Sequence, residues 1–449
     1  MATEVEVSKS ILPTQLMEWN KTMAQQPLRR VISNAIVKNG IQAVAQERRR
    51  ITEMTFAFSH EIVTGAVTNQ KQSGRCWIFA GLNLIREPMA KTLNVKDFEL
   101  SQAYLMFYDK LEKANYFLEN ILATIYEAVD SRLVAWLLSA PVQDGGQWDM
   151  FVNLVEKYGV VLQGVMPESF HSSESRLMNR LLTSKLREDA ARLRASTGSA
   201  TALREQKNAM MADIYLLLVE FLGEPPSRFN FEYQNDDGQF FGERGLTPQT
   251  FYQKYNHIDL HNRVSVINAP TADKPFVRTY TVDYLGNVVE GRPIVYLNVP
   301  IDRFKEMAIQ EIIAERPVWF GCDVGPMSDR TLGILDTEQY DYGTTLGVNF
   351  GLTKAERLTF GESQMTHAML LTGVNLVQGR PNRWKVENSW GTSNGQKGFF
   401  VMGDDWFDQF VYQLVVEQDC LTDAERAALN SQPVHLPPWD PMGALAGVN

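Results

Sequence analysis

The apolar residues of this chain change their spacing near residue 275, and that switch limits the fold more than any other feature. Upstream, they recur at helical intervals. Cys76, Trp77, Ile78, Phe79, Leu82 and Ile85 open one such run, which Pro88 is expected to end or kink. Leu177, Leu181, Leu182, Leu186 and Leu193 share a face in a second run. After Gly198, Leu203, Met210, Ile214, Leu217 and Phe221 repeat the pattern until Pro225 and Pro226 close it. Downstream, short β-branched and aromatic runs replace the long ones, as in Ile294-Val295-Tyr296-Leu297, Pro317-Val318-Trp319-Phe320 and Ala368-Met369-Leu370-Leu371. Helices first and strands second predict an α+β fold. The expected division is an N-terminal arm over residues 1–65, a helical lobe over 66–170 and a mainly helical insertion over 171–275. A β-rich lobe over 276–420 and a C-terminal helix and arm over 421–449 complete it.

Composition narrows the function classes. With 449 residues, 44% hydrophobic and 21% charged, the chain has globular balance, and its net charge of −10 lacks the footprint of a general nucleic-acid binder. Its longest apolar stretch, residues 133–142, is far short of the roughly 20 residues of a membrane span. The opening Met1-Ala2-Thr3-Glu4 does not read as a signal peptide. Three cysteines, Cys76, Cys322 and Cys420, are too few to staple a chain of this length and suit a reducing compartment. The expectation is a soluble cytoplasmic protein with no membrane partner.

Three segments carry chemistry together: Asn69-Gln70-Lys71-Gln72-Ser73-Gly74-Arg75-Cys76-Trp77, Met365-Thr366-His367-Ala368 and Val386-Glu387-Asn388-Ser389-Trp390-Gly391. A thiol acyl-transfer centre needs a thiolate, and a helix N-terminus favours one. Cys76 stands where a Gly- and Ser-containing loop meets an apolar helical run. Such a centre also needs a nearby base, a group that orients the base, and donors for the oxyanion. His367, Asn388, and Gln70 with the Cys76 N–H are the candidates.

This order of Gln, Cys-Trp, His and Asn-Ser-Trp-Gly resembles the papain-like cysteine peptidases. The interval from Cys76 to His367 is about twice the usual 130–150 residues, which the helical block after residue 170 partly explains. A closer resemblance covers nearly the whole chain, to the bleomycin hydrolase and aminopeptidase C family. It rests on residues 69–79, Glu99-Leu100-Ser101-Gln102-Ala103-Tyr104, Asp144-Gly145-Gly146-Gln147-Trp148-Asp149, Trp319-Phe320-Gly321-Cys322-Asp323 and the tail Pro438-Trp439-Asp440-Pro441-Met442-Gly443-Ala444-Leu445-Ala446.

That resemblance implies a two-lobe papain-like fold with arms. Cys76 would be the nucleophile, His367 the base and acid, and Asn388 its orienting partner. Trp390 would shield that contact, Gln70 would line the oxyanion hole, and Gly145 and Gly146 would bind an extended substrate. It also implies a homohexameric ring acting on peptide substrates, with the C-terminal arm near Ala446 reading the substrate's free α-amine. Gly447-Val448-Asn449 run past the point where relatives tend to stop, and self-trimming to near Ala446 is the expectation.

The remaining histidines, His60, His171, His257, His261 and His435, read as structural. The pair His257 and His261 has no further ligand cluster beside it, so neither metal nor cofactor is expected. Three other activities compete with an aminopeptidase. An endopeptidase would cut N-blocked peptides, and an acyltransferase would pass the acyl group to added amines. A non-catalytic binding ring would leave the complete Cys, His and Asn set without a use.

Overall fold

The computed structural model describes residues 9–96 and 98–446, so the tail Gly447-Val448-Asn449 and the opening residues 1–8 lie outside the described residues. The chain divides into two compact units. The smaller comprises residues up to Glu53 together with Thr337–Gly351. It is built on two helices, Pro13–Ala24 and Pro27–Asn39, each opened by a proline where the missing N–H costs nothing. Arg29 Nη1 donates to the Leu346 carbonyl at 2.9 Å, and Tyr340 stacks on Tyr342.

The larger unit, Met54–Asp336 with Leu352–Asn449, holds most of the helices and the main sheet. Its main sheet runs from Val434–Leu436 through Arg278–Val282, Tyr296–Asn298, Arg263–Ile267, Val411–Glu417, Val318–Cys322, His367–Val377 and Arg380–Glu387 to Phe399–Gly403. Side chains alternate across a strand, so the His367–Val377 strand feeds two cores. Ala368 and Leu370 join the core that contains Cys76, Trp77, Trp148 and Trp319. Met369 and Leu371 join a second core with Phe304, Trp384 and Trp406. The mixed architecture is an α+β papain-like fold.

The helices of residues 172–222 form as their spacing predicts, as Arg176–Ala195 and Ala200–Leu222, with the break at Gly198. Pro88 behaves differently. The helix that begins at Cys76 does not stop there but continues to Leu93. Met89 and Leu93, fully and nearly fully buried, anchor the last turn, so tertiary packing outweighs the lost hydrogen bond. Val411–Glu417 and Arg263–Ile267 are buried strands in the middle of the sheet that the sequence reading passed over.

Candidate active site

Cys76 is the first residue of the Cys76–Leu93 helix and is fully buried. Its Sγ accepts a long hydrogen bond from the Ala368 N–H at 3.4 Å, which brings the start of the helix against the start of the His367 strand. The register of that strand, His367 opposite Cys322, fixes how far His367 reaches over the helix.

Asn388 follows directly on the Arg380–Glu387 strand, which pairs with the His367 strand. His367 Nε2 and Asn388 Oδ1 are 2.8 Å apart. The Ser389 N–H also donates to that oxygen at 2.8 Å. A group that takes an N–H is the amide oxygen, so Nε2 carries the proton and donates to it. The imidazole nitrogen left for the thiol is therefore Nδ1. The half-buried Trp390 ring lies 4.8 Å from the His367 ring, tilted by 32°. Gly391, next in line, has φ +76°, and a Cβ there would meet Asn69 Nδ2 at 2.5 Å, so only glycine turns the chain back at this point.

Gln70 is held from both ends. Its Oε1 accepts from Ser389 Oγ at 2.7 Å, and its Nε2 donates to the Ser73 carbonyl at 2.6 Å. One Nε2 hydrogen remains for an oxyanion, beside the Cys76 N–H, which the helix's own ladder does not use. All three cysteines are free. Ser73 is buried and tied by hydrogen bonds, donating to the Gln70 carbonyl and accepting from Arg75 Nε. Arg75 itself is fully buried and forms a two-pronged pair with Glu168.

Gly145 and Gly146 do not face open solvent. Gly146 and Ala446 exchange backbone hydrogen bonds of 3.0 and 3.2 Å as an antiparallel bridge, and Gln147 Nε2 donates to the Ala444 carbonyl at 2.6 Å. The chain's own C-terminal arm thus lies as an added strand along the glycine pair. Arg132 stacks on Trp439 further back along the arm.

Sequence reasoning quoted Asp144 only as the first residue of a resembling run and gave it no role, although it organises the site. Its carboxylate accepts from the Gly74 N–H at 2.8 Å, two residues before Cys76, and from Lys110 Nζ and Asn179 Nδ2. Its carbonyl takes the Trp77 indole N–H at 2.7 Å. Burial raises its pKa, but Lys110, Ser175 and Asn179 outweigh burial and hold the carboxyl well below the usual range. No local signal marks this role of Asp144, because its partners come from three separate stretches of chain.

Burial pushes the Cys76 thiol up to about 12, against the Ala368 and Trp77 backbone N–H groups that lower it. Burial also pushes the His367 imidazole down to about 4; Asn388 opposes the shift and Arg330 adds to it. Each shift is the cost of a lone charge in a dry cleft. Transfer of the thiol proton to the imidazole would give two opposite charges near a helix N-terminus, where each lowers the cost of the other.

Beneath Asn388, Glu387 reaches the Cys76 helix. Its Oε1 accepts from Asn83 Nδ2 at 2.9 Å and lies 3.4 Å from Arg86 Nη2. Burial pushes its pKa up to about 7, against Arg86 and Thr64. The folded pKa lies above the unfolded value of about 4.3. Between those values the unfolded chain holds fewer protons, so stability falls as pH rises from about 4.3 to 7. Glu387→Gln is expected to remove this slope, worth ~3 kcal/mol across the window. Thermal unfolding of both proteins at pH 5 and pH 7.5 checks it, and parallel slopes would count against it.

Comparison with known proteins follows the same geometry. Residues 10–443 match the model of the peptidase C1-like family. Aminopeptidase C of Listeria monocytogenes is 50% identical over 432 residues, covering 96% of this chain and 98% of that one. Aminopeptidase G of Lactobacillus delbrueckii subsp. lactis is 39% identical over 97% of this chain and 99% of that one. The crystal structure of PepW from Lactobacillus rhamnosis HN001 superposes with a TM-score of 0.96 at 50% identity, covering 98% of this chain and all of that one. By that match along almost its whole length, the chain belongs to the peptidase C1-like family.

Proposed function

We propose that this protein is a cysteine aminopeptidase that removes single residues from the N-termini of peptides, with Cys76 as nucleophile. The observation that carries the reading is the bridge between Gly146 and Ala446, which fills the acyl side of the cleft with the chain's own arm. A substrate there has room for little beyond the residue whose carbonyl is attacked. Trimmed to near Ala446, the arm would present a carboxylate to the substrate's α-amine, by a charge-assisted bond in a partly dry site.

The steps use groups already named. Nδ1 of His367 takes the Cys76 proton, and the thiolate attacks the scissile carbonyl. Gln70 Nε2 and the Cys76 N–H hold the oxyanion. The imidazolium, kept in place by Asn388 and screened by Trp390, protonates the leaving amine. Water, deprotonated by the same imidazole, then frees the acyl-enzyme.

Assembly into a homohexameric ring and a cytoplasmic location belong to the same reading. They draw on the family resemblance and on the sparse free cysteines. Among the described residues no helix is long and apolar enough to cross a membrane.

A leucyl fluorogenic amide and its N-acetylated twin test the proposal. The free-amine substrate is expected to be cleaved and the blocked twin left intact. Equal cleavage of both would replace the aminopeptidase by an endopeptidase.

A further inference from the structure

Arg330 is an exposed cation beside the reaction centre that the steps above do not use. Its Cζ lies 4.4 Å from the centre of the Trp390 ring, and that indole also packs against His367. Among the described residues no carboxylate forms an ion pair with it. The neighbouring Asp329 turns its own carboxylate to the Leu332 N–H at 2.9 Å.

Position along the substrate follows from the two ends of the cleft. The arm at Gly146 occupies the acyl side. The leaving amine must lie at His367, which protonates it, so whatever follows that amine runs out past Trp390. A guanidinium held over an indole still has N–H groups to offer a planar anion. Its charge is felt at His367, where it opposes protonation of the imidazole.

We propose that Arg330 recognises a carboxylate on the leaving side of the scissile bond, so that the free C-terminus of a dipeptide is preferred to its amide. The inference rests on the aminopeptidase reading, because it places the substrate from the arm. A bound carboxylate would also neutralise the charge that disfavours the imidazolium, which favours the step in which His367 takes the proton of Cys76.

The test is the ratio of kcat/KM for leucyl-glycine to that for leucyl-glycinamide, measured with the full chain. A ratio cancels any general effect of a substitution. The expected value is about fivefold, the size of an exposed charge pair, shrinking as salt is added. Arg330→Met is expected to bring it to about one, and Arg330→Lys, which keeps the charge without the fork, to retain part of it. A ratio near one in the unsubstituted enzyme, or an unchanged ratio in Arg330→Met, would overturn the proposal. The N-acetylated pair separates the two readings. If only blocked peptides are cut, the aminopeptidase reading fails and the same ratio, read on that pair, still decides the role of Arg330. Cleavage of neither pair would sink both.

Discussion

Replacing Cys76 with alanine is expected to lower turnover of the leucyl amide by roughly ten-thousand-fold or more, the scale on which covalent nucleophiles are lost, while leaving the fold in place. The two halves of that expectation have separate physical grounds. Turnover depends on Sγ because, of the three cysteines, only Cys76 opens an α-helix, whose N-terminus favours a thiolate. Cys322 ends a strand, and burial holds its thiol well above the ordinary cysteine value. Cys420 is engaged with Glu311 Oε1 at 3.0 Å. Stability depends little on Sγ, whose hydrogen bond from the Ala368 N–H spans 3.4 Å to a weakly accepting sulfur. Removing one buried sulfur leaves a small cavity, on the order of 1 kcal/mol by analogy with one lost methylene-sized group. Single-turnover kinetics and thermal unfolding, run on the same preparation, check both halves. Residual turnover within tenfold of the parent would mean that another group carries the chemistry.

The reacting groups were legible in the sequence because each announces itself locally. Cys76 stands between a loop and an apolar helical run, His367 opens a strand-like run, and Asn388 is followed by Ser389-Trp390-Gly391. What holds them apart at the right distance was not legible. Asp144 collects Gly74, Lys110, Ser175 and Asn179, and Glu387 collects Asn83 and Arg86. A buried carboxylate looks in sequence like any exposed one, and its partners are dozens to hundreds of positions away. The same limit hid Arg330, an ordinary turn residue until the fold sets it on Trp390. Pro88 marks a different limit. Of the end or kink that the local rule allows, the end does not occur, because the burial of Met89 and Leu93 carries the helix past it.

The two glycines beside the arm separate its docking from the integrity of the site, and the larger effect is expected at Gly146. A Cβ on Gly146 would sit 2.4 to 2.6 Å from atoms of the Trp77 ring. That ring cannot yield easily. It is fully buried and its N–H is fixed on the Asp144 carbonyl, while Lys113 Nζ lies 5.3 Å from its centre. Gly146→Ala is therefore expected to displace Trp77, the residue after Cys76, to destabilise the protein by about 1–3 kcal/mol as overpacking does, and to remove most turnover on every substrate. Gly145→Ala meets something else. Its Cβ would lie 2.7 Å from the Ala446 carbonyl oxygen and 2.8 Å from Leu445 Cβ, so its conflict is with the arm. The arm is expected to leave the cleft in that variant, and the ratio of kcat/KM for the leucyl amide to that for its N-acetylated twin is expected to fall at least about tenfold, the loss of one charge-assisted contact. Measuring both substrates with both variants distinguishes the cases. If Gly145→Ala keeps full selectivity for the free amine, the arm is not what reads it, and the selectivity must come from the walls of the cleft itself.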